Sequence, residues 1–291
     1  MKFRQALLLV SLVCDFSLVA NADGFSTLTE VDLQFRTNPF SQVSNGAFAF
    51  QSGLTSAQVP LTSKTSSGIS QSGTGAASVT LDATSGPQLH TSVSAQSTST
   101  VTGVSLQSRA VSSYIDVVTP NDPSAAYISL SAAVDGTVTL PSGFVAAFSN
   151  DNYVNFSLFA NNVNTDLCGQ SGNFNTPGLV NGSMNLSCTA LIPIISGSAT
   201  YQFLLAPIVA AGGGIFPHSV TADFSQTGFI SGLQFLDQNM HPLTGLDYST
   251  ASGAAYQSSG NTFVPTSVPE PTTLSFTLLG FGILLRRFRT W

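Results

Sequence analysis

The chain has little charge. Its 291 residues include 8 basic and 14 acidic ones, and the shortage is sharper in the interior. Between positions 23 and 265 the only fixed cations are Arg36, Lys64 and Arg109, against twelve acidic residues, a net charge of −9. Three cations cannot build the basic surface that a phosphate backbone requires, so nucleic acid is excluded as a partner. Glutamate is scarcer still, with Glu30 alone beside eleven Asp in that stretch. A glycosidase pair would therefore have to be made of Asp, and no two are singled out by their setting. His90, His218 and His241 lie far apart, and none accompanies a Gly-x-Ser-x-Gly nucleophile turn. No catalytic residue is assigned. The one tryptophan is Trp291, which leaves a stacking platform for sugars to tyrosines such as Tyr153, Tyr201 and Tyr256, and these form no cluster in the sequence.

Cysteine is also rare. The three present exclude a disulfide-dense scaffold, and with no histidine near them they do not make a zinc site. Cys14 lies in an apolar leader and follows Val13, where a lipid-attachment motif wants a small residue, so it is expected to leave with that leader. Cys168 and Cys188 remain, 20 positions apart. In an oxidising compartment this even pair is expected to form a disulfide, stabilising the fold by about 3 kcal/mol. Neither metal nor cofactor is expected. Asn162, Asn164 and Asp166 open like a calcium loop, but Leu167 stands where the turn glycine belongs and Asn173 where a bidentate Glu belongs. Asn150, Asp151 and Asn152 read as a turn. Gly212, Gly213 and Gly214 lack the downstream Lys-Ser/Thr of a phosphate loop and read as a turn as well. The sequons beginning at Asn155, Asn181 and Asn185 are common triplets in a chain rich in Asn and Ser, and read as strand and turn residues.

What the chain does have is alternation of period two, with no helical periodicity in its interior. Val31, Leu33 and Phe35 alternate with Asp32, Gln34 and Arg36 within 23–51, the N-terminal strand region. Residues 52–113 are rich in Ser, Thr, Gly, Gln and Ala and fit either disorder or an array of flat polar strands. Strands are then expected at 114–118, 127–134, 138–140, 144–148, 154–158, 190–195, 200–209, 220–224 and 229–236. Pro120, Pro123, Asp135-Gly136 and Pro141-Ser142-Gly143 separate the first of them. Closely spaced strands with such punctuation predict an all-β fold, an antiparallel β-sandwich over 114–259, followed by a polar linker at 260–267.

Both extremities read as export elements. Lys2 and Arg4 precede an apolar core at 6–13, and Ala20 and Ala22 offer small residues for cleavage, so residues 1–22 read as a signal peptide for the Sec translocon. At the other end, Val268, Pro269, Glu270 and Pro271 form a handle that two prolines keep extended. An apolar run at 274–285 follows, expected as a hydrophobic helix shorter than the roughly 20 residues of a comfortable span. Arg286, Arg287 and Arg289 then hold that end on the cytoplasmic side.

In the order and spacing of these three parts, residues 268–291 resemble the PEP-CTERM sorting signal of exported bacterial proteins. The segment around 220–253 is similar, more loosely, to the last strands of other proteins that carry this signal. The resemblance implies recognition by a membrane exosortase and removal of the tail, after transient anchoring in the inner membrane. The body is then released to the cell surface or to an extracellular polysaccharide matrix, where a structural or adhesive role in a biofilm is expected. The rival expectations are a polysaccharide-binding module and a matrix-active glycan enzyme.

Overall fold

A computed structural model describes residues 25–38, 41–51, 56–66, 68–82, 86–141, 152–160, 166–173, 182–213 and 218–264. The strands are β1 (Ser26–Asn38), β2 (Ser41–Gln51), β3 (Ser56–Ser66), β4 (Ile69–Asp82), β5 (Gly86–Ser97), β6 (Ser105–Pro120), β7 (Tyr127–Thr139) and β8 (Tyr153–Ala160). They continue as β9 (Asp166–Asn173), β10 (Gly182–Pro193), β11 (Ala199–Gly212), β12 (Ser219–Leu236), β13 (Pro242–Leu243), β14 (Asp247–Thr250) and β15 (Thr262–Phe263). Among the described residues there is no helix long and apolar enough to cross a membrane. The expected C-terminal helix, like the expected strand at 144–148, falls outside the described residues.

Alternation places these strands in two packed sheets. The first runs β15-β14-β6-β11-β8-β9, with β1 also beside β6 and β2 beyond β1; the second runs β10-β7-β12-β5-β4-β3, with β13 on β12. Every pairing between strands is antiparallel except β14 with β15. The expected antiparallel two-sheet architecture is therefore present. Val31, Leu33 and Phe35 all lie buried on the inner face of β1. Apolar side chains of both sheets, among them Leu89, Leu106, Leu130, Phe156, Phe203, Phe224 and Phe235, fill the space between, the main favourable term in holding the layers together.

The Ser/Thr-rich stretch resolves into strands rather than disorder: β3, β4 and β5 lie within it. Few large apolar residues are needed there because small ones suffice. β4 turns Gly73, Gly75, Ala77 and Val79 inward, and Gly75 admits Val31 from the opposite sheet so closely that a Cβ would meet its Cγ1 at 2.5 Å. β6 runs without a break from this stretch into the following one, crossing 113/114. The strands of 26–113 and those of 114–259 thus share the same two sheets.

Three local expectations differ from the structure. Asp135-Gly136 is not a turn: β7 continues through it, paired with Asn185 and Met184 of β10. The glycine serves close packing, since a Cβ on it would lie 2.1 Å from the Phe224 ring. The strands expected at 220–224 and 229–236 are one strand, β12, whose register against β5 shifts between Phe224 and Gly228. Finally, the first part of the expected linker belongs to the fold, because Thr262 and Phe263 form β15 against Asp247 and Tyr248.

Gly136→Ala should lower the unfolding free energy by about 1–3 kcal/mol, the usual cost of forcing a side chain into a packed core. Gly232→Ala, whose new Cβ would meet nothing closer than Ser131 at 3.7 Å, should stay within about 0.5 kcal/mol of the parent. Urea unfolding of the two variants side by side checks both expectations.

Candidate functional site

The most elaborate polar arrangement among the described residues involves the last described segment. It begins on β6, where Tyr114, Asp116 and Val118 alternate on one face. Asp116 sits directly across from Tyr201 on β11, and Tyr114 across from Phe203. Residues paired in this way share a face, and Phe203 is core, so the carboxyl of Asp116 points between the sheets. It is fully buried.

The last described segment closes over it. β14 pairs with the end of β6, Tyr248 opposite Pro120 and Thr250 opposite Val118. The chain then turns, with Thr250 Oγ1 donating to the Ala254 carbonyl at 2.7 Å. It next reaches the other sheet, where Leu233 N donates to the Gln257 carbonyl at 2.8 Å and Ser259 N to the Leu233 carbonyl at 3.3 Å. It returns as β15 to β14, and Val264 N donates to the Tyr248 carbonyl at 2.7 Å. Residues 247–264 therefore join both sheets.

From this segment Tyr256 enters the core. Its hydroxyl donates to Asp116 Oδ2 and accepts from Tyr201 Oη at 2.5 Å. Its ring lies against Gly86 at the head of β5, where φ is +80° and a Cβ would stand 2.3 Å from the ring. Only glycine meets both demands without strain. Tyr248 fixes the backbone of Tyr256, donating to its carbonyl at 2.8 Å and accepting from its N–H at 3.0 Å. Ser252 completes the carboxyl's surroundings: its N–H donates to Oδ1 at 2.9 Å and its hydroxyl to Oδ2 at 2.7 Å. The Val117 N–H also donates to Oδ1, at 2.8 Å. Tyr114 brings a further buried hydroxyl to the cluster, edge-on to Tyr201 at 5.9 Å between ring centroids.

Four donors and no cation surround Asp116 among the described residues. Burial pushes its pKa up to about 6, against the opposing pull of Tyr256, Ser252 and Val117. Burial likewise raises the hydroxyls of Tyr256, Tyr201 and Tyr114 well above the usual tyrosine range, with the charge of Asp116 adding to the rise. The site accommodates both forms of the carboxyl. Oδ1 keeps its two backbone donors in either state, while the hydroxyls facing Oδ2 can donate to a carboxylate or turn to accept from a carboxylic acid. Sealed between the sheets, the arrangement fastens one segment to the rest.

The other expected residues are not members of this cluster. Val268, Pro269, Glu270, Pro271, Arg286, Arg287, Arg289, Ala20 and Ala22 all lie outside the described residues. Cys168 pairs by its backbone with Leu158 on β9, though its side chain is not among those described, and Cys188 is half-buried on β10. β9 ends the first sheet and β10 begins the second. His90 bridges Thr80 Oγ1 and the Ser225 carbonyl, His218 faces the Ser97 carbonyl and His241 faces Asp237, three separate places. Asn152 is buried, its Oδ1 accepting from Ala210 N at 2.7 Å, while Asn162 and Asn164 lie outside the described residues. Among the described residues no three His, Cys, Asp or Glu side chains are grouped as metal ligands would be. Of the body's three cations, Arg109 is paired with Glu30 at 2.5 Å and Lys64 sits 5.0 Å over the Phe35 ring.

The tyrosines require a correction. Tyr201 and Tyr256, considered above as surfaces for sugar stacking, are buried, as are Tyr114 and Tyr248. They form the cluster that linear reading missed. One signal was present: Tyr114-Ile115-Asp116-Val117-Val118 places a charged residue on the inward register of an apolar strand, and such a residue needs partners. No protein-family model matches the chain, and no curated protein matches it.

Because the pKa of Asp116 is higher folded than its ordinary 3.8, the folded state holds the extra proton between about pH 4 and 6. Its stabilising effect is full below that window and is lost as pH rises through it, by at most about 3 kcal/mol. Asp116→Asn should flatten this dependence. Tyr256→Phe should lower stability by about 1–3 kcal/mol at pH 7.5, the worth of a hydrogen bond to a charged group. Urea unfolding at pH 4.5 and 7.5 measures both.

Proposed function

We propose that this is an exported protein, delivered by its C-terminal sorting signal to the cell surface or an extracellular polysaccharide matrix, where it acts as a structural or adhesive component. The observation that carries the reading is the three-part tail: the Val268-Pro269-Glu270-Pro271 handle, the apolar run 274–285, and Arg286, Arg287 and Arg289. A membrane processing enzyme of the exosortase type reads the handle, the apolar run holds it in the bilayer, and the arginines set its orientation.

The body supports this reading by its surface. Outward positions of β4 and β5 carry Ser72, Thr74, Ser78, Thr80, Gln88, Ser92, Ser94 and Gln96, and on β7 and β10 Ser131 is hydrogen-bonded to Thr189. Such hydroxyl and amide faces exchange hydrogen bonds with a hydrated neutral glycan without needing charge. Cys168 and Cys188 stand on the strands that end one sheet and begin the other. A disulfide between them would staple the two layers at one edge, and it fits an oxidising destination.

Intact-mass analysis of material exported by the natural host should show loss of Met1 to Ala22 and of the segment beyond the handle. Secreted protein that retains Trp291 overturns processing. The same material should bind no thiol reagent until it is reduced, and the reduced form should be less stable by about 3 kcal/mol; free thiols in freshly secreted protein would remove the staple.

A further inference from the structure

Residues 251–264 are fastened in three ways: β15 lies on β14, residues 257–259 lie on β12, and Tyr256 is inserted between the sheets. Val264, whose N–H is still bonded to Tyr248, stands only four residues before Val268. We propose that residues 251–264 are a releasable strap, held shut by the buried contact of Asp116 with Tyr256 and Ser252, and that ionisation of Asp116 loosens it and lengthens the tether to the sorting handle. The role at the tether rests on the sorting reading above; the opening of the strap does not.

The argument starts from who supplies the donors. Three of the four hydrogen bonds to Asp116 come from the strap itself, from the Tyr256 hydroxyl and from the hydroxyl and N–H of Ser252, and only the Val117 N–H belongs to the sheet. The titratable groups facing it are Tyr114 on β6, Tyr201 on β11 and Tyr256 on the strap, all neutral at ordinary pH. Nothing offsets a negative charge there except the four donors. Lifting the strap gives the carboxylate to water, whereas the protonated acid gains nothing from exposure. With burial raising its pKa to about 6 in the closed form, the change falls between mildly acid and neutral pH. With the strap closed, only the four residues from Val264 to Val268 are free to extend, at most about 14 Å of chain; with 251–264 released, the stretch from Thr250 to Val268 extends to about 60 Å. A membrane-bound enzyme that must grip the handle beside a folded sandwich would find the second state far easier to engage.

Amide hydrogen exchange on the purified full-length protein in detergent tests the strap. After correction for intrinsic rates, protection at Tyr256, Ser259, Thr262 and Val264 should be lower than at Phe203 and Leu130 in the sheet centres at both pH values, and should fall about tenfold from pH 5 to pH 7.5. It should be constant in Asp116→Asn. Strap protection that does not change in the parent, or that equals the protection of the sheet centres so that the strap opens only when the whole fold does, overturns the proposal. Should Asp116→Asn fail to fold, the same strap amides followed in steps of pH in the parent decide: a loss of protection that levels off near pH 6 supports the strap, and no loss across that range overturns it. For the tether, host membranes should process the chain faster at pH 7.5 than at pH 5, and Asp116→Asn should show no such difference. Equal rates overturn the tether role, while no processing at either pH overturns the sorting reading and leaves the exchange result standing.

Discussion

A carboxyl group placed between two apolar sheets must be surrounded by hydrogen-bond donors, or the sheets cannot close over it. Asp116 sets that demand, and residues distant in sequence answer it: Val117 beside it, and Ser252 and Tyr256 from the far end of the body. The donors from the far end are available because the chain, after β14, turns in over Asp116 on its way to β12. The aromatic rings around the group follow from the same requirement. Tyr201 must approach Tyr256, Tyr256 needs the bare backbone of Gly86, and Tyr248 must hold the Tyr256 peptide in place.

Away from this cluster the interior depends on shape more than on polar contacts. Small residues on β4 face larger ones on β1 and β6, so a stretch with few big apolar side chains still forms a packed layer. The inner faces also carry Thr29, Thr91 and Ser112, whose hydroxyls have no hydrogen-bond partner among the described residues. A buried hydroxyl without a partner costs on the order of 1–3 kcal/mol, so these positions are held by the packing around them. Around Asp116 the core is tied mainly by hydrogen bonds, although the Tyr114 hydroxyl beside it also has no partner among the described residues, and elsewhere it is closed by fit.

The strand content of the body was legible because period-two alternation is a local property: Val31, Leu33 and Phe35, or Val154, Phe156 and Leu158, declare their buried face within five residues. What could not be read locally was any feature created by a contact between distant strands. Asp135-Gly136 has the composition of a turn, and only the ring of Phe224, almost ninety positions later, shows why a strand places glycine there. The ordering of the Ser/Thr-rich stretch depends in the same way on side chains brought from β1 and β6. The tyrosine cluster was hidden because its members stand at 114, 201, 248 and 256. Its one local trace was an Asp on the inward register of β6. The expectation of a sorting signal over 268–291 is of the opposite kind, drawn from the order of consecutive residues alone, and those residues lie outside the described ones.

β1 and β14 occupy the same side of β6, one after the other: Ser26 stands opposite Ile115, and Tyr248 opposite Pro120. Phe25 packs on Tyr114, and Phe263 on Tyr248. The body's first and last described residues are consequently neighbours on one flank of a single strand. Anything attached at both of those ends would accordingly hold the body by one edge, with everything between them forming a loop whose two feet stand together.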